Sequence, residues 1–307
     1  MTPIVECVPN FSAGKNSTIV EAIAASISAT NGIHMAGIQM DNDHNRSVIT
    51  FMGSPEDVSL GAFEACRTAT SLIDIREHRG VHPRIGATDV IPFIPISDYT
   101  TSECIELARA CGRKIAQHLE IPVIFYGSAA MNPKRRELSS VRREAFAGIL
   151  GNLRLNTDES PDTGPNYLHL TAGAVAVGVR DILVAYNINL NTPDIRIARM
   201  IAHEIREINH GLPAVRALGL FLSERNLAQV SINLTNYRKT NMHQVFRTVK
   251  KLAEEQTIKI LESELVGLAP LAALGGANPE DLLMDSFDPK QFLEYHTGRL
   301  ADKCSKD

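Results

Sequence analysis

The stretch IHMAGIQMDNDHNRSVITFM, residues 33–52, predicts a β-hairpin. Two apolar segments, Ile33–Met40 and Val48–Met52, flank the polar turn Asp41–Arg46. Asn and Asp favour such turns because their side chains hydrogen-bond nearby backbone groups and tolerate left-handed backbone angles. Around the hairpin, the residue pattern predicts a strand over Ile4–Phe11, a helix over Asn16–Ala29 and a helix from Pro55 to about Ile73. The resulting order, βαββα, is the beginning of a split βαβ unit.

The remaining chain extends this unit and then repeats it. The extension comprises the apolar run Val90–Pro95, a helix over Thr101–Leu119, a strand over Pro122–Tyr126 and a basic helix over Lys134–Leu153. After a linker-like run over 158–165, the repeat comprises a strand over Ile182–Leu190, a helix over Asp194–Ile208, a hairpin of Val215–Leu222 and Leu227–Asn236, a helix over His243–Glu255 and a strand over Ile258–Val266. A last helix is expected from Pro279 onward.

The fold class expected from this repeat is α/β (α+β), with two subdomains of ferredoxin-like-related topology. Each subdomain is expected to be a mixed sheet with helices on one face. The expected boundaries are residues 1–180 for the first subdomain and 181–307 for the second.

The composition of the chain argues against partners that bind through strong charge. The chain has 307 residues, 44% hydrophobic residues and a formal net charge of −4, which favours neither nucleic acid nor an anionic membrane as a partner. Its five cysteines are unevenly spaced and mostly lie in apolar segments, as buried thiols do in a reducing cytoplasm. The chain shows neither a secretory leader pattern nor a long apolar span, so we expect a soluble cytoplasmic protein.

The sequence HRGVHPRIGATDVIP, residues 78–92, holds most of the reactive side chains. A histidine near neutral pH both accepts and returns a proton, and we interpret His82, between Val81 and Pro83, as the proton-transfer group. The alternative is a metal-dependent hydrolase in which His78, His82, Asp89 and His44 bind the metal. Gly80 and Pro83 weaken this alternative, because they disfavour a helix that would place both histidines on one face.

A second polar run, GPNYLHLTAG, covers residues 164–173 and leads through further small residues to Arg180. It differs from a phosphate-binding loop because Lys-Ser/Thr does not follow Gly178. Small residues here would let a flat ligand lie against the backbone, with Tyr167 or His169 beside it, or else they form a packed glycine-bearing strand. Two basic clusters, Lys134–Arg136 and Arg142-Arg143, are interpreted as a solvated helix face, or as one that attracts a polyanionic small molecule.

Six stretches, in this order, resemble the glutamate formimidoyltransferase (formiminotransferase) family over residues 4 to about 274. They are ECVPNFS (6–12), NRSV (45–48), HPRIGATDV (82–90), Gly164-Pro165 with Gly173-Ala174, AYNINL (185–190) and NLAQVS (226–231). The resemblance implies two α/β subdomains with folate in the cleft between them, a homodimer, and the single-function form without a cyclodeaminase domain.

The resemblance also implies a reaction and a set of site residues. The reaction is transfer of the formimino group from N-formimino-L-glutamate to N5 of tetrahydrofolate, a co-substrate, in histidine degradation and without a metal. The family's catalytic histidine falls on His82. Its folate-binding run falls on Gly164, Pro165, Asn166, Tyr167, Leu168, His169, Leu170, Thr171, Ala172 and Gly173.

Chemistry suggests roles for further residues. Glutamate carboxylates and the folate tail need cations, for which Arg46, Arg84 and Arg180 are candidates. Asp89 is expected to hold the imidazole tautomer or pair with the amidinium. The substrate-binding set is completed by Asn10 and Asn45.

Two alternatives remain at this point. Gln39 stands where relatives carry an acidic residue, so an assisting acid would have to come from Asp41 or Asp43, or the chain binds folate without turnover. Formyl transfer from 5-formyltetrahydrofolate to glutamate is a neighbouring activity that the sequence does not separate from formimino transfer.

Overall fold

The computed structural model describes residues 3–42, 44–79, 84–142, 160–285 and 287–304. The chain divides into two compact units, Met1–Arg180 and Asp181–Asp307. Within these described ranges, none of the helices is long and apolar enough to cross a membrane.

The first unit begins with the predicted βαββαβ series and continues with one helix and two strands. Its elements are β1 (Ile4–Cys7), β2 (Asn10–Phe11), α1 (Ser17–Ser28), β3 (His34–Asp41), β4 (Arg46–Gly53), α2 (Pro55–Leu72), β5 (Thr88–Ser97), α3 (Thr101–Leu119), β6 (Val123–Gly127) and β7 (Val175–Val179). The predicted hairpin is confirmed as β3 and β4, which pair antiparallel.

One sheet holds all seven strands that the described residues of this unit form. Strands β1 and β2 share one position between β4 and β5 and run antiparallel to both. The strand predicted over Ile4–Phe11 is therefore interrupted at Val8-Pro9, where Pro9 has no N–H to donate to the ladder. Beyond β5, strands β7 and β6 extend the sheet with parallel pairing.

The two faces of this sheet differ. Helices α1, α2 and α3 cover one face, onto which Val5, Cys7 and Phe93 point. Because side chains alternate along a strand, Glu6 points to the opposite face. That face carries a smaller apolar group that includes Val90, Ile124, Tyr126 and Val141.

The second unit has the same βαββαβ order. Its elements are β8 (Val184–Leu190), α4 (Ile195–Ile205), β9 (Val215–Leu222), β10 (Leu227–Leu234), α5 (Met242–Glu255), β11 (Ile260–Val266) and α6 (Leu293–Cys304). The strand order is β11-β8-β10-β9, and all pairings are antiparallel, so this sheet is not mixed as expected, whereas the sheet of the first unit is. Alternation along β8 sends Tyr186 and Ile188 into the helix-covered core.

The helix predicted from Pro279 begins later than expected. The segment instead forms two short 3-10 turns, Glu280–Leu282 and Pro289–Gln291, before α6. Pro289 opens the second turn, and a proline inside a longer helix would have removed a backbone hydrogen bond.

Candidate active site

A small concave pocket, open to solvent, lies at one end of the first unit's sheet. Three segments supply its walls: the residue after β2, the β3–β4 turn, and the loop before β5. The lining residues are Ser12, His44, Asn45, Arg46, His78, Arg84 and Asp89. Four residues predicted for the site, namely Asn45, Arg46, Arg84 and Asp89, therefore lie together.

Asn45 organises the turn that forms one wall. Its φ of +46° is in the left-handed region, which Asn tolerates better than most residues. Its side-chain oxygen accepts hydrogen bonds from the Gly14 N–H at 2.9 Å and the Lys15 N–H at 3.1 Å. These contacts fix the turn to the segment after β2 and place Arg46 at the pocket.

His78 joins the same turn to the loop before β5. The side chain is 6% exposed, and its Nε2 donates to the Asn45 carbonyl oxygen at 2.8 Å. The neutral ring therefore carries its proton on Nε2, and Nδ1 is an acceptor with no partner among the described residues. Burial, assisted by the nearby Arg84 cation, lowers the pKa of His78 below its ordinary value. His78 is thus a neutral imidazole at neutral pH.

Asp89 anchors the loop from within. It is 2% exposed; one carboxylate oxygen accepts from the Ile85 N–H at 2.9 Å, and the other accepts from Arg142, whose Nε lies at 3.1 Å. These contacts shape residues 85–89 and hold a negative charge beneath the pocket. The partner was missed in the sequence because Arg142 is 53 positions away.

The interpretation of the basic clusters as a solvated face is wrong for two of their members. Arg142 is 17% exposed and paired with Asp89. Arg135 is 4% exposed, and its Nη1 lies 3.1 Å from Asp162 Oδ2. Because burying an isolated guanidinium is costly, each of these arginines lies against a carboxylate. Arg143 lies outside the described residues.

Arg46 and Arg84 give the pocket its positive character. Burial lowers the pKa of both guanidiniums, and the Arg142 cation adds to the effect on Arg46. Arg84 Nη2 donates to the His78 carbonyl oxygen at 3.0 Å. Arginine remains charged despite such shifts, so two cations line the pocket.

The glycine run 164–173 lies directly against the pocket loop. The Ala87 N–H donates to the Ala172 carbonyl at 2.8 Å, and the Ala174 N–H donates to the Ile85 carbonyl at 2.9 Å. Gly173 adopts a φ of +71°, which closes a tight turn back to His169. The loop and the glycine run are therefore one connected surface.

The side chains of this run divide into buried and exposed sets. Leu168 and Ala172 are 6% and 2% exposed, whereas Tyr167 and Leu170 are 54% and 61% exposed. His169 Nδ1 accepts from the Ala172 N–H at 3.1 Å, so this ring is engaged in the turn. Contact with a flat ligand is thus open to Tyr167 and Leu170.

A second polar group lies on the same unit, outside the pocket lining. Glu6 is 5% exposed on the sheet face opposite α1–α3, and its electrostatic neighbour is Arg180. Tyr126, also buried on that face, feels both Arg180 and the Asp89–Arg142 pair. Asn10, another predicted site residue, donates locally to the Val8 carbonyl at 3.0 Å. Glu6 was not predicted, although an acid between Val5 and Cys7 in an apolar strand is itself a signal.

The second unit carries a polar network on one face of its sheet. Asn189 and Gln229 are 1% and 4% exposed, and Gln229 Nε2 donates to Asn189 Oδ1 at 2.9 Å. Asn189 and Asn187 donate in turn to Glu262 and Glu264, at 2.7 and 2.9 Å. The motifs 185–190 and 226–231 thus place their polar residues in one hydrogen-bonded array.

The hairpin turn carries Asp41, a candidate assisting acid, and His44, a candidate metal ligand. Asp41 accepts from the backbone and ring of His44, and these bonds outweigh burial and hold the pKa of Asp41 below its usual value. Asp41 is therefore ionised at neutral pH. No three His, Cys, Asp or Glu side chains of the described part of the chain are grouped closely enough for a metal ion. His82 and Asp43 lie outside the described residues.

Comparisons with known proteins identify the family of the chain. The formiminotransferase domain, N-terminal subdomain, matches residues 4–180, and the formiminotransferase domain matches residues 185–279. The chain is 40% identical to a glutamate formimidoyltransferase of Streptococcus pyogenes serotype M1 over 96% of its own length and 99% of that protein's. It is 39% identical to a glutamate formimidoyltransferase of Thermoplasma acidophilum over 97% of this chain and 99% of that one.

A longer relative matches over part of its length. The formimidoyltransferase-cyclodeaminase of Rattus norvegicus is 41% identical over 89% of this chain and 51% of its own length. With both halves matched by formiminotransferase domains and whole transferases aligned end to end, the chain belongs to the glutamate formimidoyltransferase family of transferases.

Proposed function

We propose that this chain transfers the formimino group from N-formimino-L-glutamate to N5 of tetrahydrofolate, giving 5-formiminotetrahydrofolate and L-glutamate in histidine degradation. One observation carries the proposal. Arg46 and Arg84 line the same pocket as the neutral His78, above the buried Asp89. Two guanidiniums match the two carboxylates of a glutamate-derived donor, because each presents paired N–H groups to a planar anion.

The chemistry requires one proton carrier. Attack of N5 on the amidinium carbon gives a tetrahedral adduct, in which the attacking amine loses a proton and the departing glutamate nitrogen gains one. We assign both transfers to His82, two residues from Arg84 in the chain. Arg84 and Asp89 act by positioning: Arg84 faces the pocket, and Asp89 holds the loop through Ile85 and Arg142.

The glycine run 164–173 is proposed to bind the folate. Its backbone packs on residues 85–87, so a folate lying along it would reach the pocket. Tyr167 and Leu170 supply exposed side chains for the flat rings. Arg180 and the half-buried Asn10 are proposed to contribute to the same substrate surface.

The proposal is tested with His82→Asn and a matched control, His203→Asn, whose side chain is 60% exposed on α4. Formation of 5-formiminotetrahydrofolate is followed spectrophotometrically. We expect His82→Asn to lower kcat by about 10²–10⁴-fold and to leave folate affinity within several-fold. Full turnover in His82→Asn would show that His82 is not the proton carrier. An inactive wild-type protein would contradict the proposed reaction.

The same assay separates the neighbouring reactions. Incubation of 5-formyltetrahydrofolate with glutamate measures formyl transfer directly. Elemental analysis of the purified protein, with activity before and after chelation, tests the metal-dependent hydrolase built on His78, His82 and Asp89. Bound metal in stoichiometric amount together with chelator sensitivity would favour the hydrolase.

We also propose a cytoplasmic homodimer, as the family resemblance implies. Size-exclusion chromatography with light scattering measures the oligomeric state. A monomeric mass at working concentration contradicts the proposal.

A further inference from the structure

Glu6 occupies a central position in the sheet of the first unit. It lies on β1, between β4 and β5, directly opposite Met52 on one side and Ile94 on the other. Val5 and Cys7 on either side of it point into the helix-covered core, so the Glu6 carboxyl lies on the other face. The residue is 5% exposed.

The carboxyl group of Glu6 has unused hydrogen-bonding capacity. The described residues provide it with no hydrogen bond and no ion pair within contact distance, and its electrostatic neighbour is Arg180. Buried side-chain oxygens in folded proteins nearly always have a partner. Asp89, in the same unit, shows the usual arrangement, with both oxygens occupied.

The sheet face that carries Glu6 also carries the buried Tyr126. Tyr126 packs over Gly178 on the neighbouring strand, where an added Cβ would lie 2.5 Å from the ring carbon Cδ1. The Tyr126 hydroxyl feels Arg180, Arg142 and Asp89 together. Glu6 and Tyr126 thus share one electrostatic neighbour, Arg180.

We propose that the Glu6 carboxylate binds a planar N–C–N donor pair of a substrate through two parallel N–H···O hydrogen bonds. Two oxygens of one carboxylate match such a pair in spacing and in direction. The inference rests on the proposed function, because both of its substrates carry this group. The donor offers an amidine, and tetrahydrofolate offers the 2-amino and N3–H edge of its pterin.

A structural role alone does not account for the residue. Burial raises the pKa of Glu6 to about 7, so the carboxyl is kept out of water at a cost to its ionised form. A substrate that donates two hydrogen bonds would stabilise that ionised form. Arg180 adds a positive field from the end of β7.

The test uses Glu6→Gln, which keeps the shape but exchanges one acceptor for a donor. Glu21→Gln on the exposed face of α1 is the matched control. Calorimetric titration measures binding of 5-formyltetrahydrofolate, of its analogue lacking the 2-amino group, and of N-formiminoglutamate. Near-UV circular dichroism verifies that both variants are folded.

The outcomes separate the two sources of the donor pair. If Glu6 binds the pterin, Glu6→Gln weakens folate binding about 10–100-fold, and loss of the 2-amino group costs affinity in the wild type but nothing further in the variant. If it binds the amidine, only N-formiminoglutamate binding weakens.

The inference is overturned if Glu6→Gln binds all three ligands as the wild type does. Should the variant not fold, unchanged binding of the analogue lacking the 2-amino group by the wild type excludes the pterin. If the wild type is active and Glu6→Gln is equally active, this inference is wrong and the proposed function still stands.

Discussion

Arg142 donates two hydrogen bonds to a single oxygen of the Asp89 carboxylate, across 53 residues of chain. The other Asp89 oxygen accepts from the Ile85 backbone. The loop that carries Arg84 is thus held from below by a charge pair whose arginine comes from the helical residues 138–142.

Removing Arg142 should destabilise the first unit far more than removing an exposed arginine. Arg142→Met leaves Asp89 buried without its cation, and we expect the free energy of unfolding to fall by about 2–4 kcal/mol. Arg67→Met, which breaks an exposed pair with Glu64, should cost less than about 1 kcal/mol. Urea unfolding of both variants measures the difference, and equal losses would contradict a structural role for the pair.

Arg46 is expected to act in substrate binding rather than in the chemical step. Arg46→Gln removes a charge-assisted contact to a donor carboxylate, so KM for N-formiminoglutamate should rise about 10–100-fold with kcat much less affected. Steady-state kinetics measures the split. Arg67→Gln serves as the exposed control, and a fall in kcat at constant KM would place Arg46 in the chemical step instead.

His78 should make stability depend on pH in a defined direction. Burial lowers its folded pKa, so below about pH 6.5 the unfolded chain binds a proton that the folded one refuses. At pH 7.5 the free energy of unfolding of the wild type should therefore exceed that of His78→Phe by about 1–2 kcal/mol, because of the hydrogen bond to Asn45. This difference should shrink as the pH falls. Urea unfolding at pH 7.5 and 5.5 tests this, with His203→Phe as control; a constant difference would refute it.

Glu6 should show the opposite dependence. Its folded pKa of about 7 lies above the model-compound value of 4.5, so the folded state holds the extra proton and stability falls as pH rises from 4.5 to 7. Above this window Glu6→Gln should be more stable than the wild type by about 3 kcal/mol. Thermal unfolding between pH 4 and 8 measures how the stability difference between Glu6→Gln and the wild type changes with pH. Glu21→Gln should stay parallel to the wild type, and a parallel Glu6→Gln would mean that Glu6 is solvated.

Local patterns predicted most of the elements of this fold. The hairpin of β3 and β4, the helix α3 over Thr101–Leu119 and the βαββαβ element order of the second unit follow from periodicity, turn residues and caps, which act over a few positions. The break between β1 and β2 was missed, because its cause is a single proline within a segment whose pattern is that of one strand.

The site was predicted only in part, because its contacts are long-range. Asn45, Arg46, Arg84 and Asp89 were selected by residue type and do line one pocket. Burial of Arg142 was not predictable, because a basic cluster on a helix is ordinarily solvated. Its partner Asp89 is 53 positions away, and no local pattern links the two residues. The burial of Glu6 is visible only when its neighbours on two other strands, β4 and β5, are in place.

Two glycines bring the pocket loop and the glycine run 164–173 into direct backbone contact. A Cβ at Gly86 would overlap the Ala174 carbonyl oxygen, and one at Gly173 would overlap the Ile85 carbonyl oxygen. The two backbones thus meet along a seam without side chains between them. A ligand that shifts one backbone must shift the other. We therefore expect binding of one substrate to change the affinity for the other through this seam, so that binding is sequential rather than independent.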